Sequence, residues 1–238
     1  MAFSPDGRTL ATAGYDGKVG LYEVETGEGR LFEAHQNCQP SGCAEAVGFL
    51  DGNRLMSAGY ADQEIRFWHM NTWPPTPAAA PLKSRDAILW ASLRPDAQQL
   101  AAVGREYVVK LHGLPAPGAS TPMMDPSPRQ LVGHEQTVFR AEYTPDGAQL
   151  ATVSSDMTLR LWDLGNDKPL FTLRLPTEFR RPSPLWDFAL GCLPAASENT
   201  RAREIAPHAG HCWLAVPLTV GRLALYRLPY NEPPLGAQ

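Results

Sequence analysis

The feature that most constrains this chain is that it repeats itself. Phe3-Ser-Pro-Asp-Gly7, followed by Thr9-Leu-Ala-Thr-Ala13 and Val19-Gly-Leu-Tyr-Glu23, recurs as Tyr143-Thr-Pro-Asp-Gly147, Leu150-Ala-Thr-Val-Ser154 and Leu159-Arg-Leu-Trp-Asp163. Two further copies run from Phe49-Leu-Asp-Gly52 through Ile65-Arg-Phe-Trp-His69 and from Leu93-Arg-Pro-Asp96 through Val109-Lys-Leu-His112. A fifth, eroded copy is carried by Trp186-Asp-Phe-Ala-Leu190, Cys212-Trp-Leu-Ala-Val216 and Leu223-Ala-Leu-Tyr-Arg227. The position that closes each unit, Tyr22, Trp68, His112, Trp162 and Tyr226, steps by 46, 44, 50 and 64 residues, the last two steps carrying loop insertions. A period of that length marks one supersecondary unit that buries its apolar face only against its neighbours.

Within each unit, three runs of four to six β-rich residues are punctuated by Pro-Asp, Asp-Gly or Gly, the pattern of antiparallel strands joined by tight turns. A fourth, weaker run follows in the first four units, at Leu31-Phe32, Ala78 to Leu82, Gln130 to Val132 and Pro169 to Leu173. Four strands per unit make a propeller blade. The expected fold class is therefore all-β, a β-propeller of four-stranded antiparallel blades with five visible. One domain over 1–230, with units at about 1–34, 35–83, 84–132, 133–175 and 183–230, precedes a tail at 231–238. Proline agrees, since 23 in 238 residues is about twice ordinary usage and leaves little room for helix. The chain opens on the tail of an innermost strand and has no fourth strand after Tyr226, so the ring is expected to be incomplete: a piece of a longer propeller, or one completed by a second chain.

Gly133-His134, Pro145-Asp146-Gly147, Asp156 and Leu161-Trp162-Asp163 stand in the order and spacing of the WD-repeat propellers, and the resemblance covers nearly the whole chain up to Tyr230. The other units depart from it. Unit two keeps His35 and Trp68 but has an extra residue around Asp62, and unit three has Ser84-Arg85-Asp86 where Gly-His belongs, with Glu106 and His112 replacing Asp and Trp. High Ala, Pro and Arg usage looks bacterial, and such propellers often resemble tails of larger enzymes or regulators.

The resemblance implies a structural hydrogen-bond network in unit four, in which Asp156 accepts from His134, His134 meets a hydroxyl from Thr152 or Ser154, and Trp162 closes the chain. An equivalent set is expected at His35, Ser57, Asp62 and Trp68. A Ser-His-Asp set also suggests nucleophilic catalysis, but satisfying buried polar groups is the stronger use of these residues. His134-Glu135 does not continue as a zinc-protease motif, because Val138 stands where the second His belongs. Cys38 and Cys43, and the group His208, His211 and Cys212, lack the paired spacing of structural zinc sites. No catalytic residue, metal or cofactor is assigned.

Charge and hydropathy narrow the partners. The net charge is −4 with no basic block to neutralise phosphates, so nucleic acid is not expected. No apolar run approaches the ~20 residues that span a bilayer, so no membrane is expected, and with no secretory leader at Met1 a cytoplasmic location is. The expected function is a non-catalytic scaffold that binds a partner protein or a fused domain. In the resembled family, binding concentrates on the turns between the second and third strands, where the residue before each turn Asp is exposed. That nominates Tyr15, Arg105 and Ser155, with Tyr60 and Ala61 at the irregular turn. The rival is a propeller enzyme with a metal or hydrolytic site in the central channel, for which Glu45, Glu142 and Asp187 are the scattered candidates.

Overall fold

The computed structural model describes residues 1–36, 43–114, 127–174, 189–192, 212–217 and 223–227. They contain strands and turns and no helix. Blade one is β1 (Ala2–Phe3), β2 (Thr9–Ala13), β3 (Lys18–Glu23) and β4 (Gly29–Glu33), paired in that order. Blade two is β5 (Ala44–Phe49), β6 (Arg54–Gly59) and β7 (Glu64–His69), with β8 (Thr76–Pro77) and β9 (Leu82–Lys83) both on the outer edge of β7. Blade three is β10 (Ile88–Leu93), β11 (Gln99–Gly104), β12 (Val109–Gly113) and β13 (Arg129–Leu131), and blade four is β14 (Val138–Tyr143), β15 (Gln149–Ser154), β16 (Thr158–Asp163) and β17 (Lys168–Arg174). A three-stranded sheet of β18 (Ala189–Cys192), β19 (Cys212–Pro217) and β20 (Leu223–Arg227) carries the fifth unit. Every pairing is antiparallel, as expected of propeller blades.

The same local chemistry recurs in blades one, three and four. Between the first and second strands, the amides of Gly7, Ala97 and Gly147 donate to the carbonyls of Ser4, Arg94 and Thr144, at 2.8, 2.7 and 2.8 Å. Asp6, Asp96 and Asp146 in turn accept from amides two residues on, as short carboxylates do in tight turns. The innermost strands of blades two, three and four each carry a register shift near their start, between Ala44 and Ala46, Ile88 and Trp90, and Val138 and Arg140. A bulge repeated at the same place in three blades re-aims each inner strand alike.

Burial follows the blade order. All six residues of β15 are buried, whereas β4, β13 and β17 are mostly exposed, because inner strands are covered on both faces by neighbouring blades and outer strands are not. The apolar clusters are accordingly layers between blades. Ala11, Val19 and Phe32 of blade one meet Val47, Leu55 and Trp68 of blade two, and Met56 and Ile65 of blade two meet Ile88 and Leu100 of blade three. Val103 and Leu111 of blade three meet Val138, Leu150 and Trp162 of blade four.

One expected element is corrected. The outer strand of blade two does not run from Ala78 to Leu82; the chain pairs with β7 at Thr76–Pro77, leaves it, and returns at Leu82–Lys83. Pro77 and Pro81 have no N–H to give a ladder, so a continuous strand there could not complete its hydrogen bonds. For unit five, Trp186 to Phe188 lie outside the described residues, as do 193–211 and the tail.

Candidate functional site: the blade networks and the turn face

Each second strand leads into a turn built to one plan. The residue after the turn acid has positive φ in all four blades: Gly17 (84°), Gln63 (59°), Tyr107 (63°) and Met157 (64°). The acids themselves are Asp16, Asp62, Glu106 and Asp156. The extra residue of blade two does not displace Asp62, because Tyr60 N–H bonds Cys43 O (2.6 Å) much as Ser155 N–H bonds Thr137 O (2.9 Å) in blade four. Ala61 alone absorbs the insertion. Gly59 is needed here, since a Cβ on it would come within 2.1 Å of Asp62 Oδ1 and 2.4 Å of His35 Nδ1.

In blade four a single chain of donors runs through the blade. Trp162 Nε1–H donates to Thr152 Oγ1 (2.9 Å), the Thr152 hydroxyl donates to His134 Nε2 (2.7 Å), and His134 Nδ1–H donates to Asp156 Oδ2 (2.8 Å). Each of these bonds has one donor and one acceptor when the imidazole is neutral and carries its proton on Nδ1, and that assignment gives the tautomer. Burial holds the His134 pKa below its ordinary value, although Asp156 opposes the shift. Burial pushes the Asp156 carboxyl up, but the Thr158 hydroxyl, the Glu135 amide and His134 outweigh it and hold its pKa down. Of the two hydroxyls expected at His134, Thr152 fills the place. Ser154 instead donates to Gln136 O (3.2 Å) and accepts from Asp156 N–H (3.1 Å). Thr158 was not foreseen; its hydroxyl donates to Asp156 Oδ1 at 2.6 Å, and a hydroxyl two residues after the turn acid was the signal for it.

Blade two repeats the chain as Trp68, Ser57, His35 and Asp62, at 2.9, 2.8 and 2.9 Å. Asp62 also accepts from Gln36 N–H and lies 3.4 Å from Arg66, and these contacts with His35 lower its pKa against the upward push of burial. Ser57, His35 and Asp62 have the connectivity of a nucleophilic triad. Ser57 is nevertheless 0% exposed, and its oxygen accepts the Trp68 ring N–H, so no substrate carbonyl reaches it in this packing.

Blade three has none of this. The register places Ala102 opposite Lys110 where blade four has Thr152 opposite Arg160 and blade two has Ser57 opposite Arg66. His112 takes the place of the tryptophan, Glu106 that of the turn acid, and Ser84 that of the histidine. Glu106 pairs with Lys110 through one oxygen, and its other oxygen is buried without a hydrogen bond.

The proposed contact residues sit on the turns, but not all of them have the exposure that the resemblance implies. Tyr15 is 71% exposed, and Arg105 is exposed. The Arg105 guanidinium donates to Tyr60 Oη and lies 5.4 Å from the centre of the Tyr60 ring, which joins the turns of blades two and three. Ser155 is half-buried, with its hydroxyl on Thr137 O.

Of the channel candidates, Glu45 and Glu142 are described, and neither belongs to a metal-holding group among the described residues. Glu45 is the bulged residue of β5, and burial alone raises its pKa; Glu142 accepts from Arg140 (3.1 Å), and burial raises its pKa despite that cation. Asp187 lies outside the described residues. Among the described residues no three His, Cys, Asp or Glu side chains are grouped to hold a metal. Cys43 is disulfide-bonded, which removes its sulfur from any metal set. Cys38, His208, His211 and the Cys212 side chain lie outside the described residues. Among the described residues no helix is long and apolar enough to cross a membrane.

Comparison with known proteins agrees with the repeat. The family model for the WD domain, G-beta repeat, matches residues 1–23 and 126–163. The chain is 35% identical over 77 residues to Protein Notchless of Drosophila melanogaster, covering 32% of this chain and 16% of that protein. It is 28% identical to Nuclear distribution protein PAC1-2 of Uncinocarpus reesii, over 66% of this chain and 36% of that protein. With the 77 kDa echinoderm microtubule-associated protein of Strongylocentrotus purpuratus it shares 22% identity over 98% of this chain and 33% of the relative. The chain thus spans about a third or less of the length of these relatives. None of the three is bacterial, and the bacterial expectation finds no support in them.

Proposed function

We propose that this chain, whose repeats are those of the WD family, docks a partner protein or another domain of a longer polypeptide on the face formed by its second turns. WD-repeat relatives support a protein-interaction role of this kind. The observation that carries the choice of face is the Tyr60–Arg105 pair. Two residues of the types interfaces favour are held together across a blade boundary and remain at the surface, so little side-chain entropy is left to lose on binding. Tyr15 presents a third such side chain from the equivalent turn of blade one.

The buried networks do not bind anything on this reading; they hold the turns in position. The test compares the wild-type chain with a Tyr15→Ala/Arg105→Ala variant in capture from native lysate. Specific partners should be lost while the melting temperature falls by no more than about 4 °C. Unchanged capture would show that a different face is used.

A further inference from the structure

Blade three is where the repeat departs furthest from its own pattern while remaining well packed elsewhere. The side chains that fill blade four at the network positions, a histidine, a threonine and a tryptophan, are here Ser84, Ala102 and His112. All three replacements are smaller. A cavity of about 550 Å³ lies at this place, and those three residues line it together with Glu106. The missing network has therefore left a space, open between the turn face and the outer strands.

The remaining lining gives the space its chemistry. Among the described lining residues, Lys83, Arg85, Arg105 and Lys110 contribute four cationic side chains against one carboxylate, that of Glu106. Lys110 pairs with Glu106, Lys83 with Glu64 at 3.4 Å, and Arg105 with the Tyr60 hydroxyl, so three of the four are positioned by neighbours. Arg85 is exposed and has no ion pair among the described residues. An ammonium has three donors and a guanidinium five, so each of these groups keeps donors for a ligand beyond its present contact. Asp86, a further nearby acid besides Glu64, accepts from the Ala87 amide at 2.7 Å.

We infer that this cavity is a binding site for a phosphomonoester group. A dianion of about −1.5 to −2 charge with three acceptor oxygens matches a lining with excess positive charge and forked donors better than a single carboxylate does. The group reaches the cavity from the turn face, either on a phosphorylated side chain of a partner or as a small free phosphate compound. Arg105 belongs to both this site and the docking face, whereas Tyr15 does not line the cavity.

Calorimetric titration of the full chain at low ionic strength tests the site with three probes: a capped tripeptide centred on phosphoserine, the same peptide centred on glutamate, and inorganic phosphate. The phosphopeptide should bind at least about tenfold more tightly than the glutamate peptide, and Arg85→Ala should weaken it about tenfold, as expected for losing a hydrogen bond to a charged group. Rebuilding the network with Ser84→His, Ala102→Thr and His112→Trp should fill the cavity and abolish binding. Inorganic phosphate binding as well as the phosphopeptide assigns the site to a free anion, and tighter peptide binding assigns it to a side chain; either upholds the inference. No phosphate-dependent heat, equal affinity for the glutamate peptide, or binding unchanged by Arg85→Ala overturns it. If the triple variant does not fold, the exposed Arg85→Ala change still decides. Tyr15→Ala should leave phosphate binding intact, which separates failure of this site from failure of the docking face.

Discussion

Blades three and four share strand order, turn geometry and the bulge that opens each inner strand, yet differ at the centre. Blade four is closed by a run of four hydrogen-bonded side chains from Trp162 to Asp156, whereas blade three carries apolar or mismatched residues at the same register and holds a cavity instead. The blade form therefore does not require the network. Cross-strand ladders and the apolar layers between blades suffice to build it, and the network adds rigidity and register to blades that have it. A repeat that can drop the network without losing its strands is free to place other chemistry there.

The largest effect expected from this contrast is at the closing position. Trp162 is fully buried and contributes to the layer between blades three and four, so Trp162→Ala should cost ~3–5 kcal/mol. His112→Ala, on the wall of an existing cavity, should cost less than ~1 kcal/mol. Urea midpoints of the two variants measure the difference, and similar losses would mean that blade three is as tightly packed as blade four.

Next comes the network without the packing. Thr152→Val keeps the shape but leaves the Trp162 N–H without its acceptor and His134 Nε2 without its donor, which should cost ~1–3 kcal/mol. Asp156→Ala and His134→Ala should fall in the same range and combine non-additively with Thr152→Val, since all three break one chain. Ala102→Ser in blade three should change stability little, because Ala102 lines the open cavity and water there can hydrogen-bond the added hydroxyl. A Thr152→Val midpoint equal to wild type would show that the hydrogen bonds of blade four are idle.

How much of this was legible beforehand depended on whether a property is local. Strand and turn positions were, because Pro-Asp-Gly and alternating runs act over a few residues, and the bonds of Gly7, Ala97 and Gly147 are what that chemistry dictates. The network members were legible by resemblance, but the choice between Thr152 and Ser154 was not, since both lie on one face of a strand and only the approach of Trp162 selects one. Counting residues displaces Asp62, whereas the turn lets Ala61 bulge and keeps Gln63 in its left-handed position. The cavity was invisible for a different reason. Ser84, Ala102 and His112 lie far apart in sequence, and the space they leave exists only once three strands and a loop are packed together.

Acid should separate the blades more gently. The His134 pKa is lowered, so between its ordinary value of about 6.5 and its folded value the unfolded chain binds the extra proton. That contribution is complete above pH ~6.5 and is lost as pH falls toward the folded pKa. The carboxyls of Asp156 and Asp62 are also depressed, and their share persists to lower pH, disappearing from below ~4 through their folded values. Stability measured against pH should decline in wild type from about pH 6.5 downward, and His134→Ala should remove the upper part of that decline. A parallel decline in the variant would place the titration elsewhere.

The smallest effect concerns the contact that bridges blades two and three. Arg105 lies over the Tyr60 ring and donates to its hydroxyl at an exposed site, where such contacts are worth ~0.5–1 kcal/mol. Tyr60→Ala and Arg105→Ala should each lower stability slightly, and a double-mutant cycle should return a coupling within that range. The coupling matters more for binding than for folding. If the pair acts as one prearranged contact, each single change should weaken partner capture nearly as much as both together, because either leaves the other side chain free to move. If the losses simply add, Tyr60 and Arg105 touch the partner independently, and the link between the two turns is a property of the surface with no part in recognition.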